Sequence, residues 1–258
     1  MPSKVFFKIV IPNYNNFKYI KKCLDSISGQ TFRDFFVVVV DDLSTDESFR
    51  IAKIFEKRDP EHFAAFRSPK KKYAGGCRNL GMDYPVDCEY MCFVDSDDYY
   101  ASNDSLQKLY DAVKNDKPDV LLFDWARDTN GKFTLINVRQ DINEVISRGK
   151  LAMSYWNASW SRIHRKTFAE RFLEDGCMFG EDTWQFLKTM DRFPKVKQIH
   201  EQIYVYRNNP SGAVNTRGGI HEKTKGIFIK SLEKMLETAK NPAVRNSILK
   251  RLQRDGYR

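Results

Sequence analysis

The sequence predicts an α/β fold with a mainly parallel central sheet flanked by helices, and three observations predict it. Residues 5–11 and 35–40 are continuous apolar runs, too short for ordinary helices, as expected of strands buried on both faces. A segment with helical apolar spacing follows each run, so strand and helix alternate. Each predicted strand then ends in polar residues: 12–16 after the first, 41–46 after the second, and 95–98 after the apolar 91–94. Parallel sheets carry their ligands at that carboxyl edge.

Taken in order, the first strand is stopped by Pro12 and the polar Asn13, Tyr14, Asn15 and Asn16. A helix over 19–28 buries Ile20, Leu24 and Ile27, spaced four and three apart, with Gly29 as its C-cap. The second strand ends in Asp41 and Asp42, and Ser44, Thr45 and Asp46 cap a helix over 47–58. Lys70–Lys72 reads as a solvated loop. Gly75-Gly76 then predicts a tight turn, with Arg78 and Asn79 in the first turn of the helix after it. A cation there opposes the helix dipole, so Arg78 has another task, on an acid or a phosphate. The run 91–94 ends in Asp95, Ser96, Asp97 and Asp98. Three carboxylates so close need solvent, a ligand or a divalent cation. A helix over 102–113 follows.

The 258 residues suffice for one large domain with a sizeable core, since 41% are apolar and 14% aromatic. The formal charge of +9 suits an anionic partner such as a nucleotide, a nucleic acid or a membrane surface. The five cysteines are odd in number and lack paired spacing, which fits a reduced interior location. Met1-Pro2-Ser3-Lys4 leads straight into a strand without a signal peptide, and no apolar run approaches the roughly 20 residues of a membrane span. The expected location is cytoplasmic, with peripheral contact at the inner membrane face open to the tail described below.

The succession Ile9-Val10-Ile11-Pro12-Asn13-Tyr14-Asn15, Val40-Asp41-Asp42-Leu43-Ser44-Thr45-Asp46, Gly76-Cys77-Arg78-Asn79 and Phe93-Val94-Asp95-Ser96-Asp97-Asp98 resembles family 2 glycosyltransferases of the GT-A fold. The resemblance implies a Rossmann-like sheet, a nucleotide-diphospho-sugar donor (most often UDP-linked), and inverting transfer aided by Mn2+ or Mg2+. By the same resemblance Pro12, Tyr14 and Asn15 shape the nucleobase and ribose pocket, and Asp42 or its neighbour Asp41 meets the base ring. Arg78 and Asn79 line the base and the first sugar contacts. Asp95 with Ser96 lies near the ribose, Asp97 holds the metal, and Asp98 supports the site or faces the acceptor. A metal on Asp97 would act as a Lewis acid on the leaving diphosphate.

Beyond residue 113, residues 120–125 and 133–138 read as a hairpin around the turn 128–132. Trp156 to Arg165 resembles the family's Trp-x-Lys-Leu-Tyr-Arg-like segment with Arg162 in the lysine position, which puts Trp160 and Arg162 on the acceptor side. His164 by itself reads as a packed or solvated residue. In Met178-Phe179-Gly180-Glu181-Asp182-Thr183-Trp184, a bare Glu-Asp reads as a helix cap worth about 0.3–1 kcal/mol per acid. The resemblance instead makes Asp182 the general base and Glu181 its structural or acceptor-binding partner, with Trp184 beside the acceptor. Val205-Tyr206-Arg207-Asn208-Asn209-Pro210-Ser211 resembles a Tyr-Arg-x-His-x-x-Ser element, with Arg207 offered to the donor phosphates and Asn209 where histidine is usual.

From Arg217 onward eleven Lys/Arg face four acids. Phe228, Leu232, Met235, Leu236 and Ala239 trace one helix face, Asn241-Pro242 breaks it, and Ile248, Leu249 and Leu252 mark another. The expected organisation is a catalytic domain over 1–215, with a nucleotide-sugar half (1–115) and an acceptor half (116–215), then a basic helical extension over 216–258. Acceptors of several classes fit: a glycan, a lipid-linked intermediate, a protein or a modified nucleobase. The basic tail also admits a membrane surface or a polyanion. Two other functions compete: a sugar-phosphate nucleotidyltransferase, whose Gly-rich loop after the first strand is missing here, and a non-catalytic nucleic-acid-binding protein.

Overall fold

The computed structural model describes residues 2–136, 141–151, 157–173, 177, 180–212 and 220–254. Its first half is the expected alternation: β1 (Lys4–Asn13), α1 (Phe17–Ser28), β2 (Phe35–Asp41), α2 (Ser48–Arg58), β3 (Phe63–Arg67), α3 (Tyr73–Asp83) and β4 (Asp87–Phe93). These four strands are parallel and ordered β3-β2-β1-β4. Every residue of β2 is buried, because helices cover both faces of the sheet. Burying an aliphatic or aromatic side chain of this size stabilises by roughly 1.5–3 kcal/mol, so the apolar runs alone decide which segments go inside.

The second half joins the same sheet with mixed polarity. β5 (Tyr99–Tyr100) and α4 (Ser105–Val113) precede the hairpin of β6 (Val120–Thr129) and β7 (Lys132–Ile136). The hairpin's turn residues Asn130 and Gly131 both have positive φ, the chemistry of a tight primed turn. The predicted end of the second hairpin strand, Val138, lies outside the described residues. After α5 (Ile142–Ser147) come β8 (Arg162–Arg165), α6 (Glu181–Met190) and β9 (Val196–Arg207), and the sheet continues β4-β8-β6-β9-β5. α7 (Ile220–Thr238) and α8 (Pro242–Arg254) complete the chain.

Some predicted bounds move. α3 starts at Tyr73, so Arg78 falls in its second turn rather than its first. The cause is Asp42, whose carboxylate accepts the backbone N–H of Lys72 (2.7 Å) and Tyr73 (2.9 Å) and so satisfies the helix start from another strand. β3, α5, β8 and β9 are additional elements. β8 is four residues long and reads as polar, yet Arg162 and His164 in it are fully buried. β9 is exposed along part of its length, and its pairing with β6 is interrupted by irregularities around Asp124, which break the alternation a strand would show. Phe228, Leu232, Met235, Val244, Ile248 and Leu252 of α7 and α8 pack in one continuous core with Phe186, Leu187 and Met190 of α6. The expected boundary at 215/216 lies outside the described residues. No described helix is long and apolar enough to cross a membrane.

Candidate active site

The carboxyl ends of β1, β2 and β4 lie side by side, and the polar residues that end them form one rim. Asp41 is fully buried beneath it: its carboxylate accepts Asn13 Nδ2 (2.7 Å), Ser44 Oγ (2.5 Å) and the Ser44 N–H (3.0 Å). Asp42, also buried, accepts Ser68 Oγ (3.2 Å) besides the two amides that start α3, and pairs with Lys71 at 3.1 Å. Both acids were expected at the base ring; the structure commits them to holding the rim loops in place. Pro12 is buried, whereas Tyr14 is 49% exposed with the Lys71 ammonium 2.9 Å over its ring. Asn15, Leu43 and Tyr73 all have φ near +50 to +60°. Side chains resist that conformation, so the three residues store strain beside the rim.

Arg78 is the centre of the site. It is 2% exposed and reaches three carboxylates: Asp95 at 2.7 Å, Asp182 at 2.9 Å and Glu181 at 3.4 Å. Burial opposes its charge, but the three acids outweigh burial and raise its pKa. Its task is therefore an acid, as its awkward place near a helix start suggested. Burial raises Glu181 to about 7, aided by the neighbouring Asp182 against the pull of Arg78. Burial and the charges of Asp182 and Asp97 raise Asp95 to about 6, again against Arg78. Close packing brings these groups together: a Cβ on Gly75 would lie 2.8 Å from the Leu173 carbonyl oxygen and 3.2 Å from Glu181 Cγ, so α3 reaches α6 only with glycine there.

The acidic turn after β4 separates into three environments. Asp95 keeps 28% side-chain exposure and faces Arg78. Asp98 is 1% exposed and accepts Tyr204 Oη (2.9 Å) and the Arg207 N–H (2.7 Å), while Tyr204 Oη accepts the Asp95 N–H (3.0 Å). Burial, then Asp97 and Asp95, push the Asp98 pKa well up. Asp98 thus supports the turn. Ser96 is buried against Asn16 Nδ2 (2.6 Å). Asp97 is half-buried and accepts Asn209 Nδ2 at 2.8 Å, while Asn209 Oδ1 accepts the Ser211 N–H at 2.9 Å. That pair of bonds fixes the carboxamide with its N–H toward Asp97. Among the described residues no group of three or more His, Cys, Asp or Glu is placed to hold a metal. Asp97 remains a partly exposed carboxylate, a hard oxygen donor of the type that divalent cations take.

Three residues expected at substrate contacts are buried. Trp160 is 7% exposed and stacks on Tyr204 (4.8 Å between ring centroids, 5° between planes) and Tyr206 (5.5 Å). Arg162 is fully buried: Nε donates to His164 Nε2 (3.0 Å), Nη1 to the Ala158 carbonyl (2.6 Å) and Nη2 to Gln185 Oε1 (2.6 Å). Both pack among the elements that carry the site. Asn79 is likewise buried, its carboxamide closing a two-bond pair with the Phe172 backbone (3.0 and 2.9 Å). Burial lowers Arg162 to about 9, and burial with Arg162 beside it holds His164 well below its ordinary value, so the imidazole is a neutral acceptor. Trp184 stays half-buried on α6, one turn past the acids. Tyr204, Gln185 and His164 are supports; Tyr204 alternates with Tyr206 along β9, while Gln185 and His164 carried no such signal in sequence.

The family model for glycosyl transferase family 2 matches residues 8–180. The uncharacterized glycosyltransferase EpsJ of Bacillus subtilis is 26% identical over 216 residues, covering 79% of this chain and 61% of EpsJ. The poly(ribitol-phosphate) beta-N-acetylglucosaminyltransferase TarS of Staphylococcus aureus is 24% identical over 211 residues, 80% of this chain and 36% of TarS. The crystal structure of TarS residues 1–349 in complex with UDP-GlcNAc matches with a TM-score of 0.76 at 22% identity, covering 96% of this chain and 71% of that one. A mannosyltransferase from Pyrobaculum calidifontis, in complex with GDP-Man and Mn2+, matches at 0.65 with 16% identity. The fold is therefore the GT-A arrangement, and the chain spans about three fifths of EpsJ and a third of TarS.

Proposed function

Because the chain belongs to glycosyl transferase family 2, we propose that it moves a sugar from a nucleoside-diphosphate sugar to an acceptor hydroxyl with inversion. The observation that carries this reading is the Arg78 guanidinium, which joins Asp95 on the donor side to Asp182 at the start of α6. The attacking hydroxyl oxygen forms its bond to the anomeric carbon as the bond to the diphosphate oxygen breaks, and the electron pair leaves with the diphosphate. The hydroxyl proton passes to Asp182, whose side chain keeps 26% exposure. Arg78 orients that carboxylate, and Glu181 at 13% exposure completes the clamp. Asp97 is the residue that would hold a divalent ion, which neutralises the leaving diphosphate when bound. One displacement with one base needs no covalent sugar intermediate, hence inversion.

A UDP-sugar is the donor class we favour, since the matching TarS structure holds UDP-GlcNAc, and Mn2+ is the favoured ion because the mannosyltransferase structure contains it. A glycan or other polyol chain is the favoured acceptor, and a cytoplasmic location suits five buried cysteines. Asp182→Asn should abolish transfer while keeping the thermal stabilisation that UDP and Mn2+ confer together. Near-normal transfer by that variant would remove Asp182 as the base. If no nucleoside diphosphate stabilises the wild type with metal, the donor assignment fails.

A further inference from the structure

We propose that Arg162 is a positioning residue that keeps Asp182, alone of the three carboxylates around Arg78, in its ionised form. The fully buried guanidinium lies against the first turn of α6. Its Nη2 donates to the Asp182 carbonyl (3.4 Å) and, one turn on, to Gln185 Oε1 (2.6 Å), while Nη1 ties it to the Ala158 carbonyl (2.6 Å). Nε donates to the neutral His164 imidazole, and the guanidinium carbon sits 4.6 Å from the Phe186 ring centroid. These bonds fix the charge against the backbone of the residue read as the base, within the range over which a charge moves a carboxylate's proton equilibrium.

A buried guanidinium is costly to desolvate, and packed apolar side chains of similar volume often hold elements together as well or better. Packing alone therefore gives no reason for a cation here. The acids give one. Arg78 faces three carboxylates, and burial raises Glu181 to about 7 and Asp95 to about 6 against its pull. One cation does not hold three acids ionised. Of the three, Asp182 is the one that acts on Arg162: burial opposes the Arg162 cation, the charge of Asp182 favours it, and Arg78 repels it. Coupling is reciprocal, so the Arg162 charge favours the Asp182 carboxylate in turn. Other charges coupled to Asp182 come from Arg78 on α3, Glu181 on its own helix and Asp95 after β4, and α7 meets this turn with the apolar Phe228. Asp182 thus has two guanidiniums, one on its carboxylate and one on its backbone carbonyl. A base must be deprotonated when the hydroxyl proton arrives. The proposal rests on the reading of Asp182 as the base only for its catalytic meaning.

The test is a pH titration of the full chain by NMR of carboxyl-labelled aspartate, with the Asp182 resonance assigned by its loss in Asp182→Asn. In Arg162→Met the Asp182 midpoint should rise by about one pH unit, a tenfold gain in proton affinity. Arg162→Lys keeps the charge and should shift the midpoint far less. Arg165→Gln removes a partly exposed cation from the same strand and should leave the midpoint in place. The acid limb of kcat/KM for UDP release from UDP-GlcNAc with Mn2+ should move in Arg162→Met as far as the midpoint does, with KM for the donor unchanged. Should Arg162→Met lose its cooperative melt, the double variant Arg162→Met/Gln185→Met takes its place, because it removes the Gln185 acceptor together with its donor. An unmoved Asp182 midpoint in a folded neutral variant overturns the proposal, as does an equally large shift in Arg162→Lys. A failed transferase reading shows separately: the Asp182 midpoint follows Arg162 as expected, while Asp182→Asn still transfers sugar.

Discussion

Arg78 carries more consequences than any other single residue, because three carboxylates depend on one buried cation. Removing one partner of a buried ion cluster leaves uncompensated charge, so Arg78→Met should lose about 3–5 kcal/mol in urea unfolding. Lysine should not rescue it, since one ammonium cannot reproduce a fork that spans Asp95 and Asp182. Glu181 gives a pH signature. Its pKa rises from 4.5 to about 7 on folding, so the folded state binds a proton that the unfolded chain has released. Its contribution to stability is present below the lower value and disappears as pH rises through the higher one. Glu181→Gln mimics the protonated form, so calorimetry should show equal Tm for variant and wild type near pH 5 and a higher Tm for the variant near pH 8. Equal Tm across the range would mean that Glu181 is ionised throughout.

At the scale of elements, the start of α6 is held from two sides. α3 approaches through Gly75, and α7 presses Phe228 against Gly180, where an added Cβ would lie 2.7 Å from the ring. Gly180 also has φ of +73°, a conformation side chains resist. Gly180→Ala therefore meets both strain and collision, and should lower Tm by several degrees and kcat more than KM, because Asp182 is two residues away. Unchanged kinetics in that variant would show that the base does not depend on this packing. The polar ends of β1, β2 and β4 were readable from sequence, because an apolar run that stops in polar or acidic residues puts them at the open end of its strand. The buried β8 was not, since Arg162 and His164 are buried by satisfying each other with Gln185, a pairing no local pattern announces.

For the whole molecule, the shared core is the decisive feature. α7 and α8 place Phe228, Leu232, Met235, Val244, Ile248 and Leu252 in the same cluster as α6, so the basic C-terminal helices are part of the domain that holds the candidate base. Deletion of residues 216–258 should expose that cluster and abolish the single cooperative unfolding transition; a truncated chain with wild-type Tm would restore the picture of a separable extension. The sequence by itself determined the parallel first half, the rim of polar strand ends and the family, because apolar runs and their breakers act locally along the chain. Only the tertiary structure decided which acids stay partly exposed. Asp41, Asp42 and Asp98 are buried and consumed by hydrogen bonds, while Asp95, Asp97 and Asp182 stay partly exposed. A carboxylate's role depends on what surrounds it in space, and Arg78 meets Asp182 across 104 residues of chain.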